Sequence, residues 1–149
     1  MDVTDKKILS FLQENGRMTV KEMSGKLNLS PTPIFERIKK MERNGIIDHY
    51  TVVVNPEITG KKLYAFAHIS LKDHSKIMVK EFEEKIFLLP EVSECHYVTG
   101  RADFIIKIQL ENMEKYKEFV MDKLFDVPNI ARIETYLSLE MKKKRVSLF

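Results

Sequence analysis

The residues with the most chemistry to offer stand together in the stretch SPTPIFERIKKMER, from Ser30 to Arg43. Ile34, Ile38 and Met41 recur at i, i+4 and i+7, the stripe of a helix with one buried face. At about 100° per residue the opposite face holds Thr32, Glu36, Lys39, Lys40 and Arg43, with Pro33 and Arg37 on its flank. A basic face interrupted by one acid suits nucleic acid. Side chains near the N-terminus of a groove-entering helix reach base edges, which makes Thr32, Pro33 and Glu36 the candidates for base contact. Glu36 would accept a hydrogen bond from a cytosine amino group, and Pro33 would touch a thymine methyl. Lys39, Lys40 and Arg43 lie further along, where phosphate contact is expected, and Ser30 and Arg37 border the same surface. The plainer alternative is a solvated helix face carrying i,i+4 pairs such as Glu36–Lys40.

Other chemistry finds little support. His49, His68, His74 and His96 lack the spacing of a zinc or metalloprotease site, and the single Cys95 adds no ligand set, so no metal and no cofactor are expected. Cys95 falls in a strand-like stretch and reads as an inert buried thiol. No GxxxxGK, GxGxxG or GxSxG loop occurs, and no nucleophile–base pair suggests a catalytic centre. No catalytic residue is assigned.

The elements that must position the first cluster are legible around it. Asp2 or Thr4 caps a helix with Ile8, Leu9 and Leu12 inward, stopped at Asn15-Gly16. Thr19 and Glu22 form a capping box for a second helix, with Val20, Met23 and Leu27 buried and Gly25 costing about 1 kcal/mol of helix propensity. Asn28 suits a left-handed turn, Ser30 is expected to cap the third helix, and Pro31 takes its first position. Two short helices joined by a tight turn, the second basic, make a helix-turn-helix. Asn44-Gly45 ends it. Ile46 to Val54 then reads as a strand, followed by a linker to about Lys62.

The period changes after that. Leu63, Ala65, Ala67, Ile69 and Leu71 alternate with polar and aromatic residues as in a strand. Residues 75–88 read as a helix with Val79, Phe82 and Ile86 inward. Val92 to Val98 and the alternating Phe104, Ile106, Ile108 and Leu110 read as strands. Residues 112–125 read as a helix with a stripe of Met113, Tyr116 and Val120, Met121 also being expected on a helix facing the core, and the last strand runs from about Ile130 to Leu139. The order β-α-β-β-α-β is the ferredoxin-like split arrangement. The expected class is therefore α+β: a winged-type helix-turn-helix domain over residues 1–50, a strand and linker over 51–62, and a ferredoxin-like domain over 63–149.

Bulk properties agree. With 44% hydrophobic and 32% charged residues the chain has the balance of a soluble globular protein. No apolar run approaches the ~20 residues of a membrane span, and the N-terminus does not read as a secretory signal. The lone cysteine fits a reducing cytoplasm. The first 60 residues carry nine basic against eight acidic side chains, so nucleic-acid binding rests on where charges sit and not on their sum. The run Lys142-Lys143-Lys144-Arg145 is the one dense basic tract, read as a solvated tail or an additional phosphate contact.

The stretch DKKILSFLQENGRMTVKEMSGKLNLSPTPIFERIKKMERNGIIDHYTVVVNP resembles the DNA-binding domain of the Lrp/AsnC (feast/famine) regulators, and LPEVSECHYVTGRADFIIKI resembles their ligand-sensing domain. The resemblance runs over essentially the whole chain. It implies dimers paired through their sheets, assembly towards octameric rings, and DNA wrapped around them. It also implies an amino-acid effector held between dimers by the turn after the second strand, which here is Val98, Thr99, Gly100, Arg101, Ala102 and Asp103, with Thr135 lining the site. Gly100 permits close backbone approach, and Asp103 could pair with an α-amino group. Three positions depart from the family pattern: Asn28 replaces a common Gly, Arg101 stands where many relatives carry an acidic or polar residue, and Ile133 replaces a hydroxyl. Arg101 could bind an effector carboxylate, favour an acidic effector, or signify that no small ligand is used. Taken without the resemblance, the turn is a hairpin with a permissive Gly and a capping Asp.

The expectation is a non-enzymatic, sequence-specific regulator of double-stranded DNA whose dimer presents two helices to major grooves about 34 Å apart or a multiple of it. Its rivals are an enzyme built on the ferredoxin-like half and an architectural protein that reads DNA shape.

Overall fold

The computed structural model describes residues 1–142; Lys143, Lys144 and Arg145 of the basic tract lie outside the described residues. The chain divides into two compact units, Met1–Val53 and Val54–Met141.

The first unit is three helices, α1 (Val3–Glu14), α2 (Val20–Leu27) and α3 (Pro31–Arg43). Each start has a local cause. Asp2 accepts from the Asp5 amide while Asp5 reaches back to the Asp2 amide, a reciprocal capping box. Thr19 and Glu22 repeat the device at α2. Asn28 ends α2 in the left-handed region at φ 52°, the turn on which the motif depends. Ser30 occupies the N-cap of α3 but makes no capping hydrogen bond, contrary to expectation. The reason is chemical: Pro31 and Pro33 take positions one and three, and a proline at the third position removes the amide that a serine cap most often binds. Ile8, Leu9, Met23, Ile34, Ile38 and Met41 form the buried core, with Leu12, Val20 and Leu27 partly buried against it.

The strand expected over Ile46 to Val54 is absent. Ile46 and Ile47 turn back to the Met41 carbonyl, and residues 48–55 join no ladder. A β-branched run still needs a neighbour to satisfy its amides, and the described chain supplies none. Tyr50, Val52, Val53 and Val54 stay exposed.

The second unit opens with a single turn, α4 (Pro56–Thr59), and continues β1 (Leu63–Leu71), α5 (Lys76–Phe87), β2 (Val92–Tyr97), β3 (Phe104–Leu110), α6 (Met113–Phe119) and β4 (Ile130–Leu137). The sheet order is β2-β3-β1-β4, and every pair is antiparallel. Ala65, Ala67, Ile69 and Leu71 of β1 and Phe104, Ile106, Ile108 and Leu110 of β3 fill one face, packed with Phe82 and Ile86 of α5. The Phe82 and Phe104 rings lie 4.7 Å apart at its centre. The other face, with Phe66, His68, Ile105 and Tyr136, carries no helix among the described residues.

The second helix departs from its expected stripe. Met113 and Met121 are exposed, whereas Phe119 and Leu124 are buried; Tyr116 and Val120 pack at the edge of the core. A π-helical turn over Val120–Leu124 continues α6 and inserts the extra residue that rotates the inward face.

Candidate nucleic-acid interface and effector loop

Of the recognition-helix candidates, Ser30, Thr32, Pro33, Glu36, Lys39, Lys40 and Arg43 are exposed on α3. Thr32, Glu36, Lys40 and Arg43 have no hydrogen-bond or ion-pair partner among the described residues, so the Glu36–Lys40 pair is not made. The two prolines delete amides at the helix start. That end therefore presents apolar rings and few donors, which favours contact with a base edge over capture of a phosphate.

Arg37 is differently engaged. Its Nη1 lies 2.6 Å from Asp2 and 2.7 Å from Asp5, tying α3 to the start of α1. The Asp5 amide and then Arg37 hold the Asp2 carboxyl below its usual range. Burial pushes Asp5 the other way, but the Asp2 amide and Arg37 outweigh it, and Asp5 too is lowered. Lys39 bonds Glu42 at 2.8 Å and sits 5.7 Å over the Phe35 ring, while Tyr50 donates to the other Glu42 oxygen at 3.0 Å. Sequence reasoning passed over Phe35, an exposed phenyl beside Lys39, because it falls between the inward stripe and the outward face.

In the second unit, Val98 to Asp103 form an open loop closed by the Val98 amide on the Asp103 carbonyl at 2.9 Å. Gly100 stands at φ 133°, where a side chain would be strained. Asp103 helps to hold the sheet together. Its Oδ2 accepts the Leu71 amide at 2.8 Å, and its own amide bonds the Ile69 carbonyl at 2.9 Å. Its Oδ1 faces His74 Nε2 at 3.0 Å. The Leu71 amide, followed by His74, holds the Asp103 carboxyl below its usual range. The Arg101 guanidinium has no partner among the described residues. Thr135 is not brought to the loop: it lies on β4 opposite Ala67, with β1 between it and β3. Sequence reasoning also missed His74, 29 residues from Asp103, because nothing local marks a contact between two loops.

Among the described residues no group of three or more His, Cys, Asp or Glu is placed to hold a metal. Cys95 is half-buried in β2, where burial and then Glu83 push its thiol pKa up, opposite to what a nucleophile needs. No described helix is long and apolar enough to cross a membrane.

A helix-turn-helix followed by an antiparallel βαββαβ unit defines a two-part DNA-binding regulator. A family model of the Lrp/AsnC ligand binding domain matches residues 64–148, and one of a winged helix-turn-helix DNA-binding domain matches residues 1–48. The leucine-responsive regulatory protein of Escherichia coli is 33% identical over 144 residues, which cover 97% of this chain and 88% of that protein. A transcriptional regulator from Neisseria meningitidis, solved with L-methionine, superposes with a TM-score of 0.94 at 33% identity over 99% of this chain and 96% of its own. AsnC of E. coli superposes with a TM-score of 0.89 at 28% identity, covering 97% of this chain and 96% of that one. The chain belongs to the Lrp/AsnC family of transcriptional regulators. Those relatives are named as regulators of transcription.

Proposed function

We propose that the chain is a sequence-specific regulator that reads bases with Thr32, Pro33 and Glu36, holds phosphates with Lys39, Lys40 and Arg43, and responds to an amino acid held at residues 98–103. Ser30 stands at the edge of the DNA surface, and Arg37 sets the angle of α3 from behind. The observation that carries the effector reading is the content of the loop. It sets a carboxylate, Asp103, two residues from a guanidinium, Arg101, that has no partner among the described residues, as a zwitterion requires. The L-methionine complex of the Neisseria regulator supports the same class of ligand. Thr135 enters the site from a second copy of the chain, since its own loop does not reach it. Two copies pair through the helix-free sheet face, and dimers assemble further, towards an octamer.

A thermal-shift screen of the proteinogenic amino acids tests the effector. A ligand at 100 times its Kd adds about 2.7 kcal/mol of stability, a rise of several degrees. At least one amino acid should give that rise in the wild type and lose it in Asp103→Asn, which keeps the Leu71 hydrogen bond but not the charge. No response to any amino acid would overturn the effector reading and leave the DNA reading standing.

A further inference from the structure

The His74 side chain is 59% exposed and reaches Asp103 from another loop. Asp103 divides its oxygens: Oδ2 anchors the end of β1 through the Leu71 amide, and Oδ1 is left for His74 at 3.0 Å. Oδ1 is thus the position open to an effector ammonium group, and the imidazole already stands there. The arm that carries it is stiff. Buried Asn129 accepts from the Asp73 amide at 2.9 Å and donates to the Asp73 carbonyl at 2.7 Å, while its own carbonyl takes the Lys72 amide at 2.9 Å. Asp73 in turn accepts the Ser75 amide at 2.7 Å. Backbone is clamped on both sides of His74, and its exposed side chain retains freedom to rotate.

We propose that His74 is a tethered placeholder in the ammonium position of the effector site, which an amino acid must displace to bind. This rests on the reading that the loop at residues 98–103 binds an amino acid. A primary ammonium brings a full charge and three donors and so outcompetes an imidazole, which can offer Oδ1 one N–H. Removing the imidazole should therefore strengthen amino-acid binding, since Oδ1 is then open. His68, whose ring lies 5.0 Å from that of Tyr136, and His96, beside Glu94, stand on the open sheet face and serve as controls.

Calorimetric titration of the full chain with L-methionine and with L-leucine tests this. His74→Ala should bind about fivefold more tightly than wild type, the scale of an exposed polar contact, while His68→Gln and His96→Gln bind as wild type does. His74 is exposed, and circular dichroism of the variants checks that they fold. Wild-type affinity in His74→Ala would overturn the placeholder and leave the amino-acid site intact. Failure of the wild type to bind either amino acid would remove the site and the placeholder with it.

Discussion

Glu36 and Lys40 are one helical turn apart on α3 and unpaired among the described residues, so substitutions at the two should have different signatures. Glu36→Ala should relax preference at one or two base pairs, a loss of about 1–3 kcal/mol of discrimination, with little change in salt dependence. Lys40→Ala should weaken binding to all sequences alike and lower the salt slope by about 1, measured by fluorescence anisotropy at several salt concentrations. A second test concerns acid. Asp2, Asp5 and Glu22 have folded-state carboxyls below their usual ranges: Asp2 through the Asp5 amide and then Arg37, Asp5 through the Asp2 amide and Arg37 against burial, and Glu22 through the Thr19 amide and then its hydroxyl. Depressed carboxylates stabilise the fold above about pH 4 and lose that contribution as pH falls through their folded values. Arg37→Ala should therefore lower stability at neutral pH and flatten the acid limb of a urea-midpoint profile; an unchanged limb would mean the bridge contributes nothing in solution.

The helical elements carry their causes in local residues, and these were readable. The Thr19–Glu22 box, the left-handed Asn28 and the inward stripe of α3 all stand where spacing puts them. Gly25 sits inside α2 with open space where a Cβ would project, so Gly25→Ala should add about 0.5–1 kcal/mol to the first unit in chemical denaturation. Phe82→Ala, which empties the centre of the second unit, should cost about 3–5 kcal/mol. What was not readable depends on partners far along the chain. Ile46 to Val54 has strand composition but no neighbour among the described residues to pair with. The π turn after α6 shows only as a rotated face, and Ser30 fails as a cap although the sequence puts it at the right place, Pro33 having removed the third amide. Of the candidate sites, the α3 surface follows from periodicity alone. The loop at 98–103 needed the family resemblance, and its contact with His74 needed the fold.

At the level of the assembled protein, the helix-free sheet face is the surface to test for dimer formation. Phe66, His68 and Tyr136 stand on it, the last two rings tilted against each other at 5.0 Å, and Phe66 is 38% and Tyr136 53% exposed in the single chain. A charge there would be buried unpaired in a dimer, so Phe66→Asp should give monomers in sedimentation velocity and lose the avidity of two recognition helices. Sequence-specific reading of DNA is the central property proposed for the molecule. It is measured by competing a DNA sequence selected on the wild-type protein against a scrambled duplex of equal length across a salt series. A base-reading regulator should prefer the selected sequence by about 10³-fold or more, and that preference should persist as both affinities fall with salt. Equal affinity for the two duplexes at every salt concentration would contradict base reading by α3 and leave a protein that recognises only the shape and charge of the double helix.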